Sequence, residues 1–153
     1  MPARTRRLHR YRFRSEWLLD AQPAVVYAVL ERLDAYPRWW PQVREAASID
    51  EHSATVRVRS LLPYALTVVV SERVHDPGAG VLETELSGDM AGWARWTVRP
   101  GSGGTRAVFE QQVEVSKPLL RRLVLLGRPL FLANHRLMMR AGRRGLAAWL
   151  ARG

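Results

Sequence analysis

The chain has no cysteine. Disulfides and thiolate metal sites are therefore excluded, and the redox character of the compartment is not written in this residue type. Lysine is almost as scarce: Lys117 is the only one, and arginine supplies the other cations, a skew that a GC-rich genome also produces. No run of about 18 uncharged apolar residues occurs, so no transmembrane helix is expected. The opening MPARTRRLHRYRFR is basic, but no apolar stretch follows it. It does not read as a secretory signal, and a cytoplasmic protein is the default expectation. Nucleophile elbows and paired-carboxylate spacings are missing too. GSGG at 101–104 precedes a strand-like run, not a helix, so it reads as a hairpin turn and not as a phosphate cradle.

What is present suits one globular domain. The length of 153 residues is enough to bury roughly 70% of the unfolded surface, and the 47% hydrophobic share is ordinary. The expected organisation is a basic arm over residues 1–8 and a single domain over 9–153. The net charge is +10. It has two readings, a nucleic-acid or anionic-membrane partner and a solvated surface that keeps the protein soluble. The cations run through the whole chain without a nucleic-acid motif, which favours the solvated surface.

Hydrophobic periodicity divides the chain into three parts. Residues 9–20, HRYRFRSEWLLD, alternate around Tyr11, Phe13 and Trp17 and read as a first strand. Asp20 stands where a cap would, and Pro23 where a first helical residue would. Val25, Val26, Val29, Leu30 and Leu33 then recur at helical spacing, for a helix of about three turns. In DAYPRWWPQV, Pro37 and Pro41 flank Trp39 and Trp40 and restrict the segment to a turn or one short helical turn. One ring is expected in the core and the other at the rim of whatever the segment closes.

Some seventy strand-like residues follow. Ala54, Val56 and Val58 alternate with Thr55, Arg57 and Arg59; Leu82, Thr84 and Leu86 alternate with Val81, Glu83 and Glu85. DPGAG at 76–80 and GSGG at 101–104 are hairpin signals. Parity turns Tyr64 and Trp96 inward, sets Phe109 and Gln111 on one face, and sends Arg57, Arg59 and Arg95 to solvent. The C-terminal part is helical, with Gly127 and Pro129 marking either a boundary between two helices or a kink. Phe131, His135, Met138, Gly142, Leu146 and Trp149 share one face of it, and Arg136, Arg140 and Arg143 share another.

The element order implies an α+β fold in which a curved antiparallel sheet of about seven strands surrounds a long C-terminal helix. Two short helices lie between strands 1 and 2. In such a plan a cavity between sheet and helix would hold a small apolar molecule. The pieces YPRWWPQV, GDMAGWARWTV, GGTRAVFEQQVEVSKP and FLANHRLMMRAGRRGL also occur in a familiar order. Through them the chain resembles the START-like (SRPBCC, helix-grip or Bet v 1-like) superfamily, in its polyketide cyclase/dehydrase and lipid-transport branch. That resemblance implies a hydrophobic ligand, aromatic, polyketide-like or lipid-like, held between sheet and helix, or else a cyclase or aromatase that folds a poly-β-ketone. Similar sequences often follow the histidine with an acid, where this chain has Arg136.

The candidate ligand contacts are Trp39, Trp40, Tyr64, Trp96 and Phe109, with Gln111, Phe131, His135 and Met138. An inward glutamine needs hydrogen-bond partners and has two candidates, His135 and Tyr64. His135 and Tyr64 are also the candidates for moving a proton, should a reaction occur, with an arginine steadying an enolate. A lone histidine more often serves as a neutral, hydrogen-bonded core residue. His9, His52 and His75 fall in arm or turn regions with no metal-ligand spacing, and no metal or other cofactor is expected. Nucleic acid is a disfavoured partner; the basic arm offers at most a weak contact with RNA, DNA or anionic lipid.

Overall fold

A computed structural model describes residues 10–59, 65–115 and 118–153, with backbone alone for 118–128. The elements run β1 (Arg10–Leu19), α1 (Pro23–Leu30), a 3-10 helix (Leu33–Arg38), β2 (Val43–Ser48), β3 (Ser53–Val58), β4 (Leu66–Asp76), β5 (Val81–Gly88), β6 (Met90–Gly101), β7 (Gly104–Val115) and α2 (Pro118–Arg152). All seven strands form one antiparallel sheet in the order β1-β7-β6-β5-β4-β3-β2. The chain thus lays down a meander from β2 to β7 and closes it with its first strand. Such a sheet curls because each strand twists right-handedly, and the curl gives α2 a concave side to lie across.

Several local expectations change in three dimensions. Gln22, not Asp20, precedes the first helical residue, and no side chain caps the helix; Pro23 does open it. α1 stops at Leu30 after 8 residues, because the chain tightens into the 3-10 helix that takes Leu33. Its inward side is Val26, Tyr27 and Leu30, while Val25 is 51% exposed. Downstream, the helical runs on either side of Gly127 and Pro129 are one element, with Pro129 inside it. A proline there forfeits one backbone hydrogen bond without stopping the turns on either side.

The core is built in two parts. One cluster gathers Trp17, Trp39, Trp40, Trp96 and Phe109 with Met139 and Leu146 of α2. The other holds Tyr11, Leu66, Val113, Val115 and Phe131. In the first, Trp17 meets Trp96 at 4.8 Å and Trp40 at 5.5 Å between ring centroids, both edge-on, the geometry that ring quadrupoles favour. Trp39 and Trp40 are both buried, at 4% and 6% exposure, so neither forms a rim. The expectation of opposed neighbours holds for an extended strand. This segment leaves a 3-10 helix and is wedged between sheet and helix, and both rings find cover.

The helix reaches them through two glycines. A Cβ on Gly145 would collide with the Trp39 carbonyl oxygen, and one on Gly142 would stand 2.6 Å from Trp40 Cε2. Trp40 Nε1 also donates to the Met138 carbonyl at 3.0 Å. The C-terminal half of α2 is therefore seated on the tryptophan segment, and the close approach is to that segment and Trp17 rather than to the sheet at large.

Charge is not spread evenly over this frame. The 35 residues of α2 include eight arginines and no acid, so eight of the ten net positive charges lie on one helix. On the sheet, by contrast, Arg10 pairs with Glu114, Arg57 with Glu45, Arg95 with Glu83 and Arg106 with Glu16. The cations that look dispersed along the sequence are mostly paired with carboxylates on the strands and concentrated without an acid on the helix.

Candidate functional site

Between the two core clusters lies a cavity of about 550 Å³, bordered by the concave face of the sheet and the inner face of α2. Its floor includes Trp40, Trp96 and Phe109; Val56, Val68 and Leu86 form the strand side, and Phe131, His135 and Met138 the helix side. The volume falls within the range of sites for small organic molecules. The lining is largely apolar for a simple reason: strand alternation sends every second side chain of β3 to β7 inward, and apart from Thr84, Gln111 and the residues at the mouth those positions carry valine, leucine, alanine, methionine or an aromatic ring.

Two polar side chains stand out inside. Gln111 projects from β7 and meets His135 of α2, with His135 Nε2 3.3 Å from Gln111 Oε1. The imidazole lies flat on Phe13 of β1, with centroids 3.6 Å apart and planes at 9°. Burial pushes the His135 pKa down to about 4, and no neighbouring charge contributes. At neutral pH the ring is therefore uncharged. In the Nε2–H tautomer the neutral ring would donate to the glutamine oxygen.

Charge is confined to the mouth. Of the described arginines only Arg32 borders the cavity, and it is exposed where α1 gives way to the 3-10 helix. The interior thus has no described cation to steady an enolate. Arg57 and Arg59 are exposed, as parity predicts. Arg95 pairs with Glu83 and lies over Trp93 at 4.9 Å.

The mouth also contains an arrangement that sequence spacing did not show. His75 Nε2 is 2.8 Å from Glu31 Oε2, and His52 Nδ1 is 3.4 Å from Glu72 Oε2. These contacts tie the end of α1, strand β4 and the β2–β3 turn together. His75 belongs to the end of β4, not to a turn. A register shift between Glu72 and Val74 places Glu72 opposite Thr84 and His75 opposite Leu82, so both share the inward face despite their odd separation. Hydrogen bonding to the Glu31 carboxylate raises the His75 pKa. Among the described residues, no three histidines or carboxylates are arranged to hold a metal ion.

Seven of the nine candidate contacts are brought together around the cavity: Trp40, Trp96 and Phe109 with Gln111, Phe131, His135 and Met138. Trp39 is not among the lining residues; its ring packs 4.8 Å from Tyr36 and 5.5 Å from Trp40, within the closed end of the core. Tyr64 lies outside the described residues. Phe13 and Asn134 border the cavity without having been singled out. The alternation of β1 carried the signal for Phe13. Asn134 precedes the histidine on the helix, and its burial at 6% is set by packing that spacing does not encode.

Comparison with known proteins follows the same lines. No curated protein matches the chain in sequence. Among solved structures, the Zhui aromatase/cyclase from Streptomyces sp. R1128 superposes with a TM-score of 0.75 at 13% identity, covering 94% of this chain and 95% of that one. A START superfamily protein from Mycobacterium smegmatis gives 0.71 at 16%, over 94% and 98% of the two chains. A protein from Thermus thermophilus gives 0.71 at 16%, over 91% and 97%. At these identities the likeness is one of fold. The family described as polyketide cyclase / dehydrase and lipid transport matches residues 10–148, nearly the whole chain. With its curved sheet, long C-terminal helix and cavity between them, the chain belongs to that family.

Proposed function

We propose that the protein binds one small hydrophobic molecule, aromatic, polyketide-like or lipid-like, in the cavity between sheet and α2. The observation that carries this reading is the cavity of about 550 Å³ with an apolar lining and one neutral polar pair, His135 and Gln111. Apolar area buried by the guest supplies affinity at roughly 25 cal/mol per Å². The polar pair supplies orientation, since a guest that leaves it unpaired loses out to one that does not.

The second reading is a cyclase or aromatase, favoured by the structural likeness to an aromatase/cyclase. The cavity would then fold a flexible poly-β-ketone so that its reacting carbons approach, which is catalysis by proximity. His135 or Tyr64 would move the proton. A histidine pushed down to about 4 is a poor base at neutral pH, and the interior offers no described arginine, so binding is the better supported of the two.

Native mass spectrometry of freshly purified protein, together with titration by the neutral fluorophore N-phenyl-1-naphthylamine, tests the reading. The wild type is expected to carry or take up one guest. Val68→Phe, which fills the cavity from the strand side, is expected to remain folded and lose that capacity. A wild type that takes up no apolar probe overturns the proposal. Turnover of a poly-β-ketone that vanishes in His135→Gln while probe affinity persists would favour the enzyme.

A further inference from the structure

We infer that the solvent face of α2 is a docking surface for an anionic lipid bilayer. This goes beyond the cavity and does not depend on what the cavity holds. The face is defined by burial. Phe131, Met139 and Leu146 point into the core, while Arg136, Arg140, Arg143 and Arg144 are exposed on the opposite side. At 100° per residue these four arginines fall within one sector of about 100°, from Arg143 through Arg136 and Arg140 to Arg144. None of the four makes an ion pair among the described residues, and the helix has no acid to offer them. The strands treat their arginines in the opposite way, with a carboxylate opposite most of them.

Two further features choose lipid over nucleic acid. Leu130 and Leu137, 54% and 43% exposed, continue the same sector on its Arg144 side. Exposed leucines gain nothing against phosphates and bases but can enter the acyl boundary of a bilayer. Ala133 and Ala147, also exposed, lie between the arginines, and Ala148 lies on the Leu130 side, which keeps the face low. A straight cationic face with an apolar flank is the form of a helix that lies in the membrane interface, leucines inward and guanidiniums among the headgroups. From Leu130 to Ala148 it extends for roughly 27 Å.

Near an anionic leaflet each arginine strengthens partitioning about fivefold. The protein is therefore expected to co-sediment with vesicles containing about a quarter phosphatidylglycerol, and not with pure phosphatidylcholine, with binding that weakens as salt rises. Arg136→Gln, Arg140→Gln and Arg143→Gln together should lower partitioning on the order of a hundredfold. Glutamine is a good helix former, and unchanged circular dichroism would show that the fold survives. Leu130→Gln with Leu137→Gln should lower the binding that persists at high salt.

The basic arm is the competing locus, so Arg4→Gln, Arg6→Gln and Arg7→Gln provide the matched control and should leave most of the binding in place. Equal binding to both vesicle types overturns the inference. So does a helix variant that binds like wild type, or loss of binding with the arm variant alone. Preferential capture of duplex nucleic acid by the intact helix face, with vesicles ignored, overturns it as well.

Discussion

His135 makes the stability of the fold depend on pH in a way that can be worked out. Its pKa is pushed down from 6.5 to about 4 by burial against Phe13 and beside Gln111, with no charged group contributing. A histidine depressed in the folded state contributes its full stability above the unfolded pKa. That contribution is lost as pH falls through 6.5 towards about 4, because the unfolded chain takes up a proton that the native protein refuses. Between pH 7.5 and pH 5 the loss from this one residue is about 2 kcal/mol. His75, whose pKa is raised by the Glu31 carboxylate, also responds to pH, so the measurement must be differential. Urea unfolding of wild type and His135→Gln at the two pH values isolates the term: wild type should lose about 2 kcal/mol more than the variant. An NMR titration should find one imidazole still neutral at pH 5. If the two proteins show the same pH dependence, or the His135 ring titrates near 6.5, the ring is not held away from water as described, and the neutral polar pair falls with it.

Two further substitutions probe the seat of the helix. Gly145→Ala adds a methyl where the Trp39 carbonyl oxygen already stands. The gain of about 1 kcal/mol in helix propensity should be outweighed by an overpacking cost at the upper end of about 1–3 kcal/mol, for a net loss of about 1–2 kcal/mol in urea unfolding. A rise in stability would refute the close approach. Trp40→Phe removes an indole N–H that donates to Met138, whereas the buried Trp39 Nε1 has no partner among the described residues. Trp40→Phe should therefore cost about 1 kcal/mol more than Trp39→Phe, a difference that thermal melts of the two variants would detect.

The parts of the fold that follow from alternation were legible in the sequence. Ala54, Val56 and Val58, or Leu82, Thr84 and Leu86, need only the period of a strand to be sent inward, and turn residues at 76–80 and 101–104 fix where the chain reverses. The His135–Gln111 contact was reachable as one of two options, because each residue has a definite face on its own element. The rest depended on irregularities. One register shift in β4 sets Glu72 and His75 on the same side, and no period of two contains it. Trp39 and Trp40 are both covered because a short 3-10 turn is clamped between sheet and helix, a condition set by tertiary packing. The charge asymmetry needed the register of the strands: pairing shows that Arg95 stands opposite Glu83, while Arg136 and Arg140 have no ion pair among the described residues.

The crowding of indoles at one end of the cavity gives the molecule a built-in optical reporter. Trp40 and Trp96 border the hollow, and both touch Trp17, whose ring is 6.3 Å from Trp39. Excitation absorbed by any member of such a group migrates among the others before it is emitted. A guest that quenches or shields one indole should therefore alter the emission of the whole group, and occupancy can be followed with no added label.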